Sequence, residues 1–333
     1  MMNLYKMMFT LSLFIGTLIT ISANSWMGIW LGLEINLLSF IPLINNNNNA
    51  LSNESAIKYF ITQALASTII VFSMILMMGK SINNEMSNLM ISTSMMIKMG
   101  AAPFHFWFPE VMEGLNWSNS MILLTWQKIA PFTIISYIKQ NMNFIIITII
   151  ASMLISGIMG INQVSLRKIM AFSSINHIGW MISIMIYSNL MWTMYFLVYT
   201  IISVNIIIMF WMYNLSFFNQ IHSNEMSPML KIIFMINLMS LGGVPPFLGF
   251  IPKWITIQLL ISQFNMFLII FMIMLTLIPL FFYTRLMFSS LLIITSKISF
   301  KFNMIYNMNW ILITMNTMNI FSFILIPMLT MNL

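Results

Sequence analysis

Cysteine is absent from all 333 residues, which excludes disulfides, cysteine-ligated iron–sulfur clusters and thiol catalysis. Charge is nearly absent too. The 13 basic and 6 acidic side chains make up 6% of the chain, against roughly 25% in soluble domains. So few charges cannot cover the surface of a soluble protein of this length. The three histidines, His105, His177 and His222, lie in separate segments, and no two stand at metal-ligand spacing. Neither G-x-G-x-x-G nor G-x-x-x-x-G-K-[ST] occurs, which leaves nucleotide binding without support. The basic residues are scattered, with no run and no interleaved aromatics, so the net charge of +7 does not point to nucleic acid. The opening MMNLYKMMFTLSLF has no Arg-rich transit pattern or small-residue cleavage site, so the first helix is expected to direct insertion itself.

What is present is apolar. Hydrophobic residues make up 60% of the chain, and runs of about 20, the length a bilayer core demands, recur from end to end. The 39 methionines, with abundant Ile and Asn, fit a biased coding genome better than a sticky Met-rich surface. Apolar length and polar breaks predict about eleven transmembrane helices. They fall near 4–22, 26–44, 56–78, 87–108, 118–138, 144–162, 166–187, 190–213, 228–262, 266–290 and 308–330. The expected fold is an all-α polytopic membrane protein forming one domain. With the N-terminus inside, Lys6, Lys58, Arg167, Lys168, Lys231, Arg285, Lys297 and Lys301 fall on the inner side and only Lys80 and Lys139 outside. The C-terminus is then outside.

Two of these spans carry proline among small residues. One holds Lys98-Met99-Gly100-Ala101-Ala102-Pro103-Phe104-His105, and the overlong ninth holds Gly242-Gly243-Val244-Pro245-Pro246-Phe247-Leu248-Gly249. Proline removes a backbone donor and crowds the preceding turn, so both helices are expected to break there. The breaks lie five spans apart, which inverts the second copy of a five-span repeat. The repeats are expected at about 4–138 and 144–290, followed by a C-terminal helix at about 308–330. Broken helices at corresponding positions of inverted halves are a sequence pointer to a transport path.

Four ionisable residues lie within spans: Glu34, Lys98, Lys128 and Lys253. A lysine at mid-bilayer costs roughly 2.5–3.5 kcal/mol on insertion scales, so the set together approaches about 10 kcal/mol. They are the candidate site, a polar path for ions or protons. The alternative for each is snorkelling to an interface or a structural pair. Lysine suits proton transfer because burial readily changes its protonation, whereas arginine stays charged. Glu34 beside Lys98 would hold that ammonium in place; separating them would release its proton toward Lys128. Waters are expected to bridge the chain Glu34–Lys98–Lys128–Lys253. His105, directly after Pro103, either extends the relay or is satisfied by a freed carbonyl. His177, on the polar face Ser173-Ser174-Ile175-Asn176-His177, either belongs to a proton path or is helix–helix glue. Glu110 and Glu113 are expected as solvated acids at a loop.

The stretches that bear these residues resemble the antiporter-like membrane subunits of respiratory complex I, the NADH–ubiquinone oxidoreductase. The likeness is carried by Trp30 to Asn36 (WLGLEIN), Ala56 to Phe60 (AIKYF), Lys98 to Glu110 (KMGAAPFHFWFPE) and Leu124 to Pro131 (LTWQKIAP). It continues in Leu166 to Ser174 (LRKIMAFSS), Ser240 to Pro246 (SLGGVPP) and Gly249 to Trp254 (GFIPKW). The last 50 or so residues match only in hydropathy. The resemblance implies two inverted five-helix repeats with one discontinuous helix each, and a Glu34–Lys98 pair. It further places Lys128 mid-membrane between half-channels and Lys253 on the second broken helix. It implies no cofactor bound by this chain, with NADH, FMN, iron–sulfur clusters and ubiquinone in the parent complex. The implied partners are other membrane-arm subunits, with chains 4 and 4L as neighbours, accessory subunits and phospholipid. The implied location is the mitochondrial inner membrane, with the N-terminus in the matrix and the C-terminus in the intermembrane space. Two other functions compete: a stand-alone antiporter exchanging Na⁺ or K⁺ for protons, and a scaffold whose charges only hold helices in register.

Overall fold

In the computed structural model, residues 4–45, 49–78, 84–139, 141–223, 228–263 and 265–291 are described. The helix expected at 308–330 lies outside them, as do Lys80, Lys297 and Lys301. Among the described residues there is no strand, only an isolated bridge between Ser165 and Phe217. Polarity runs inside-out relative to a water-soluble protein. Leu4, Leu11, Leu18, Phe267, Met274 and Phe281 are exposed, while Asn36, Gln63, Lys128, His177 and Asn205 are buried. That is the arrangement hydrocarbon selects, because lipid accepts apolar side chains and offers polar ones no partner. Among the described residues six helices are each long and apolar enough to cross a bilayer, and the chain is a multi-pass membrane protein.

Most serine and threonine hydroxyls in these helices bond a carbonyl three residues back, as Ser67, Ser73, Ser152 and Ser174 do. Each thus enters an apolar setting without an orphaned donor.

The chain divides within its eighth helix into two units, Met1–Ser152 and Met153–Leu333. The first unit begins with α1 (Leu4–Ser22), α2 (Trp26–Ile44) and α3 (Ala50–Met78). Ser25 caps α2 by accepting from the Gly28 N–H at 3.2 Å. Helices α1 and α2 touch through glycine: a Cβ on Gly32 would stand 2.8 Å from the Gly16 carbonyl oxygen, the close approach that small residues permit between membrane helices. Next come α4 (Asn84–Met99), α5 (Trp107–Gly114), α6 (Trp117–Leu124) and α7 (Trp126–Tyr137), and α8 (Met142–Ile161) begins in this unit. The span expected at 87–108 is therefore α4 and α5 with a break between them. The span expected at 118–138 is broken as well, at Thr125 between α6 and α7. That third interruption was not foreseen. A sequence signal nearby is Pro131, which cannot bond the Gln127 carbonyl and crowds it; the helix opens two residues before that carbonyl, at Thr125.

In the second unit follow α9 (Leu166–Met185), α10 (Asn189–Met212), α11 (Phe218–Ser223), α12 (Pro228–Gly242), α13 (Phe250–Ser262) and α14 (Met266–Leu291). The ninth expected span is thus α12 and α13, broken as proline required. Helix α9 is enclosed, with 18 of its 20 residues buried, which is how it can carry serine, asparagine and histidine. Arg285 of α14 closes the end of α8: its Nη1 and Nη2 donate to the Ile161 and Gln163 carbonyls at 2.8 and 3.2 Å. A guanidinium at a helix C-terminus meets both the orphan carbonyls and the negative end of the dipole.

Candidate functional site

The first break is built as a helix stop. Gly100 takes φ +73°, where an L side chain is strained. The Gly100 N–H bonds the Ile97 carbonyl at 3.1 Å and the Ala101 N–H bonds that of Met96 at 3.0 Å, the paired closure of a Schellman ending. Phe108 packs on the bare face of Gly100, where a Cβ would come within 2.9 Å. Lys98 therefore stands in the last turn of α4, where the helix's negative end favours a cation. Its own carbonyl, left over by the break, accepts from Gln63 Nε2 at 3.5 Å, and Trp107 Nε1 donates to Ile97 O at 3.0 Å.

Lys98 and Lys128 line one cavity, with Asn36, Tyr59, Gln63, Gln127 and Pro131 among its walls. The cavity has room for about one water. Lys128 is 1% exposed and lies over the Phe108 ring, 5.5 Å from its centre. Gln127 Nε2 donates to Asn36 Oδ1 at 3.0 Å, tying α7 to α2 beside both lysines. Asn36, Tyr59, Gln63 and Gln127 were missed in the sequence. Their signal was polarity inside apolar spans, with Asn36 two residues past Glu34 and Gln127 adjacent to Lys128.

Glu34 is half-buried on α2. Its charge acts on Lys98 through space, without a direct ion pair between them among the described residues. Lys58 does make direct ion pairs, meeting Glu54 and Glu110 at 2.7 Å each. Glu110 is exposed, as expected, but it sits on α5 rather than in a loop, and its surface ion pair links that short helix to α3. His105 is buried, does not line the lysine cavity, and its Nδ1 donates to the Pro103 carbonyl at 3.2 Å. The freed-carbonyl alternative for His105 has this geometry behind it.

The second unit repeats the stop. Gly243 also takes φ +73°, and the Gly243 and Val244 N–H groups bond the Ser240 and Met239 carbonyls at 3.0 and 3.3 Å. Lys253, on α13, folds back so that Nζ donates to the Gly242 carbonyl at 2.7 Å. Its aliphatic stem fills the space over Gly243, where a Cβ would meet Lys253 Cδ at 2.7 Å. Trp180 of α9 presents its ring 5.9 Å from Nζ. One turn earlier on α9, His177 Nδ1 is 2.9 Å from the Tyr195 hydroxyl. The structure thus brings Lys98 and Lys128 to one cavity in the first unit, with Glu34 out of direct contact, and in the second sets Lys253 against Trp180 of α9, the helix that carries His177.

Helices broken at mid-length, each with its C-terminal end turned on a buried lysine, define a transporter-like membrane subunit. The family model for the transmembrane region of NADH:quinone oxidoreductases and Mrp antiporters matches residues 23–279. In fold, the chain is similar to one in respiratory complex I from Thermus thermophilus with bound aureothin: TM-score 0.87, 17% identity, covering 96% of this chain and 78% of that one. It is also similar to one in the Mrp complex from Dietzia sp. DQ12-45-1b: TM-score 0.75, 16% identity, 85% of this chain and 59% of that one. Sequence narrows the choice. NADH-ubiquinone oxidoreductase chain 2 of Anopheles gambiae is 48% identical over 330 residues, 96% of each chain. The chain belongs to the NADH-ubiquinone oxidoreductase chain 2 family.

Proposed function

We propose that this chain moves protons across the mitochondrial inner membrane along Glu34, Lys98 and Lys128 in its first unit and Lys253 in its second. It is a membrane-arm subunit of the proton-pumping NADH:ubiquinone oxidoreductase, and the redox reaction that drives it belongs to other subunits. Its own donor set does not fit an iron–sulfur cluster, having no cysteine. Among the described residues no three histidine or carboxylate groups converge to hold a metal. Other membrane-arm subunits are its partners, with chains 4 and 4L proposed as neighbours and phospholipid around the apolar surface. The two five-span repeats, 4–138 and 144–290, and the matrix-side N-terminus are part of the same reading.

The carrying observation is that Lys98 and Lys128 share one cavity with room for about one water. Two lysines lining a site of that size, one as ammonium and the other as neutral amine, have a route by which the first gives its proton through a water to the second. Glu34 biases the first of them from outside direct contact, so a small displacement of α2 changes that bias. His105 and His177 are auxiliary groups in this reading, His177 the better placed.

Lys128→Ala is the test. In the assembled complex, coupled turnover should fall about tenfold, or about 1.4 kcal/mol on the barrier, with assembly retained. Lys128→Arg should impair it as well, because guanidinium does not release its proton. Normal turnover and normal proton yield in an assembled Lys128→Ala complex would remove the relay. The stand-alone antiporter is the second reading, favoured by the fold shared with the Mrp chain. Mild detergent extraction separates them: the chain runs in a large NADH-oxidising particle or as a small free transporter.

A further inference from the structure

Three phenols surround one turn of α9 in the second unit. Tyr195, Tyr199 and Tyr283 are 2%, 3% and 1% exposed. Tyr195 OH bonds His177 Nδ1 at 2.9 Å. Tyr199 has its hydroxyl near Ser174, and its ring lies 5.1 Å from that of His177. Tyr283 brings its hydroxyl against Ser173 without a well-formed bond. The three hydroxyls are close enough to interact electrostatically. Phenylalanine would fill the same volume without burying a polar group, and a buried hydroxyl is unfavourable unless it is bonded. Packing alone gives no reason for three.

Further buried polar groups lie on the same two helices, α9 and α10. Asn176 Oδ1 and both amide atoms of Asn205 are buried without a hydrogen-bond partner among the described residues. Such groups are the usual anchors of internal water. One turn further along α9, Trp180 faces the Lys253 ammonium. A hydroxyl suits a path between such groups because it donates and accepts at once, so it passes a proton without ever becoming charged.

We infer that Tyr195 is a proton-relay residue of the second unit, acting with His177. This rests on the proton-carrying reading above. In the step, the His177 Nδ1–H bond breaks as that proton bonds to the Tyr195 oxygen. The original Tyr195 O–H proton leaves at the same time for a neighbouring hydroxyl or an internal water. Imidazolium becomes neutral imidazole, the acceptor gains one proton, and no electron is transferred. Rotation of the Tyr195 hydroxyl resets the pair. Tyr199 and Ser174 provide a second acceptor on the same turn.

The test is Tyr195→Phe in the assembled complex, reconstituted in vesicles, with NADH-driven turnover and protons moved per NADH both measured. Turnover per assembled complex should fall about tenfold, toward the low end for a lost proton-transfer group. Tyr195→His, which restores a group able to donate and accept, should recover most of it. The double variant Tyr195→Phe/His177→Gln should be no slower than His177→Gln alone, since both interrupt one step. Normal turnover in Tyr195→Phe overturns the proposal, as does a multiplicative double variant. Failure of Tyr195→Phe to assemble would make the hydroxyl a structural tie and overturn it too. Lys128→Ala in the same vesicles separates the two claims. If it pumps normally, the proton-carrying reading itself falls; if it is impaired while Tyr195→Phe is not, only the role of Tyr195 falls.

Discussion

The two broken helices stop in the same way and then treat their leftover carbonyls differently. Each ends on a glycine at φ +73° with matching closures, Gly100 and Ala101 in one, Gly243 and Val244 in the other. In the first unit, the last turn carries its own lysine, and neutral donors, Gln63 and Trp107, serve the carbonyls. The Lys98 ammonium meets no hydrogen-bond acceptor among the described residues; it has a cavity and the distant charge of Glu34 instead. In the second unit the lysine arrives from the other half-helix, and its ammonium itself closes the Gly242 carbonyl. One break leaves its lysine without a backbone tie, whereas the other ties its lysine into the backbone. The same helix-end dipole therefore supports a loosely held charge in one place and an anchored one in the other.

The largest break in this comparison should come from Gly249→Ala. A Cβ there would lie 1.7 Å from the Ser240 carbonyl oxygen, the acceptor that closes the second stop, and backbone cannot step aside as a side chain can. The corresponding place in the first break holds Phe106, 70% exposed, so nothing comparable constrains it. We expect destabilisation of at least about 3 kcal/mol, measured as loss of assembled complex. Normal yield would mean that the second break has more slack than its geometry implies.

Next in size, Lys98→Met and Lys253→Met should diverge. Both remove a buried ammonium, but only the second orphans a carbonyl. The Lys253 variant should be the less stable by about 1–3 kcal/mol, read from thermal inactivation of the isolated complexes. Equal stability would say that Gly242 finds another donor.

Glu34→Gln tests the loose arrangement. Breaking a buried contact pair costs about 3–5 kcal/mol; Glu34 is half-exposed and out of contact, so the effect should be nearer about 1 kcal/mol, or about fivefold in coupled turnover. Glu54→Gln is the control, because Lys58 keeps Glu110 at 2.7 Å. A larger pumping defect in the control would contradict the through-space coupling of Glu34 to Lys98.

The smallest expected effect is that of Trp107→Phe. It deletes the Nε1 donor to Ile97, whose carbonyl still accepts from Gly100, so the loss should be about 1 kcal/mol. A pumping defect without lost stability would show that this donor positions Lys98.

Much of this protein is legible in its residues taken alone. Apolar length sets the helices, since a bilayer core admits only closed backbone hydrogen bonding over about 20 residues. Glycine and proline set the two main breaks, because no other residues stop a helix so cheaply or deny it a donor so surely. Four ionisable residues within apolar spans stand out by their energetic penalty, which is what made them the candidate site. Tertiary structure alone decided which groups meet. Nothing local in Glu110 says that it pairs with Lys58 across two helices, and nothing in Lys253 says that it turns back to Gly242. The shared cavity of Lys98 and Lys128 is made by side chains from several helices, with Asn36, Gln63 and Gln127 among them. Helix composition is a property of neighbours in sequence, but hydrogen-bond partners and water-sized cavities arise where distant segments pack, and periodicity carries no record of that.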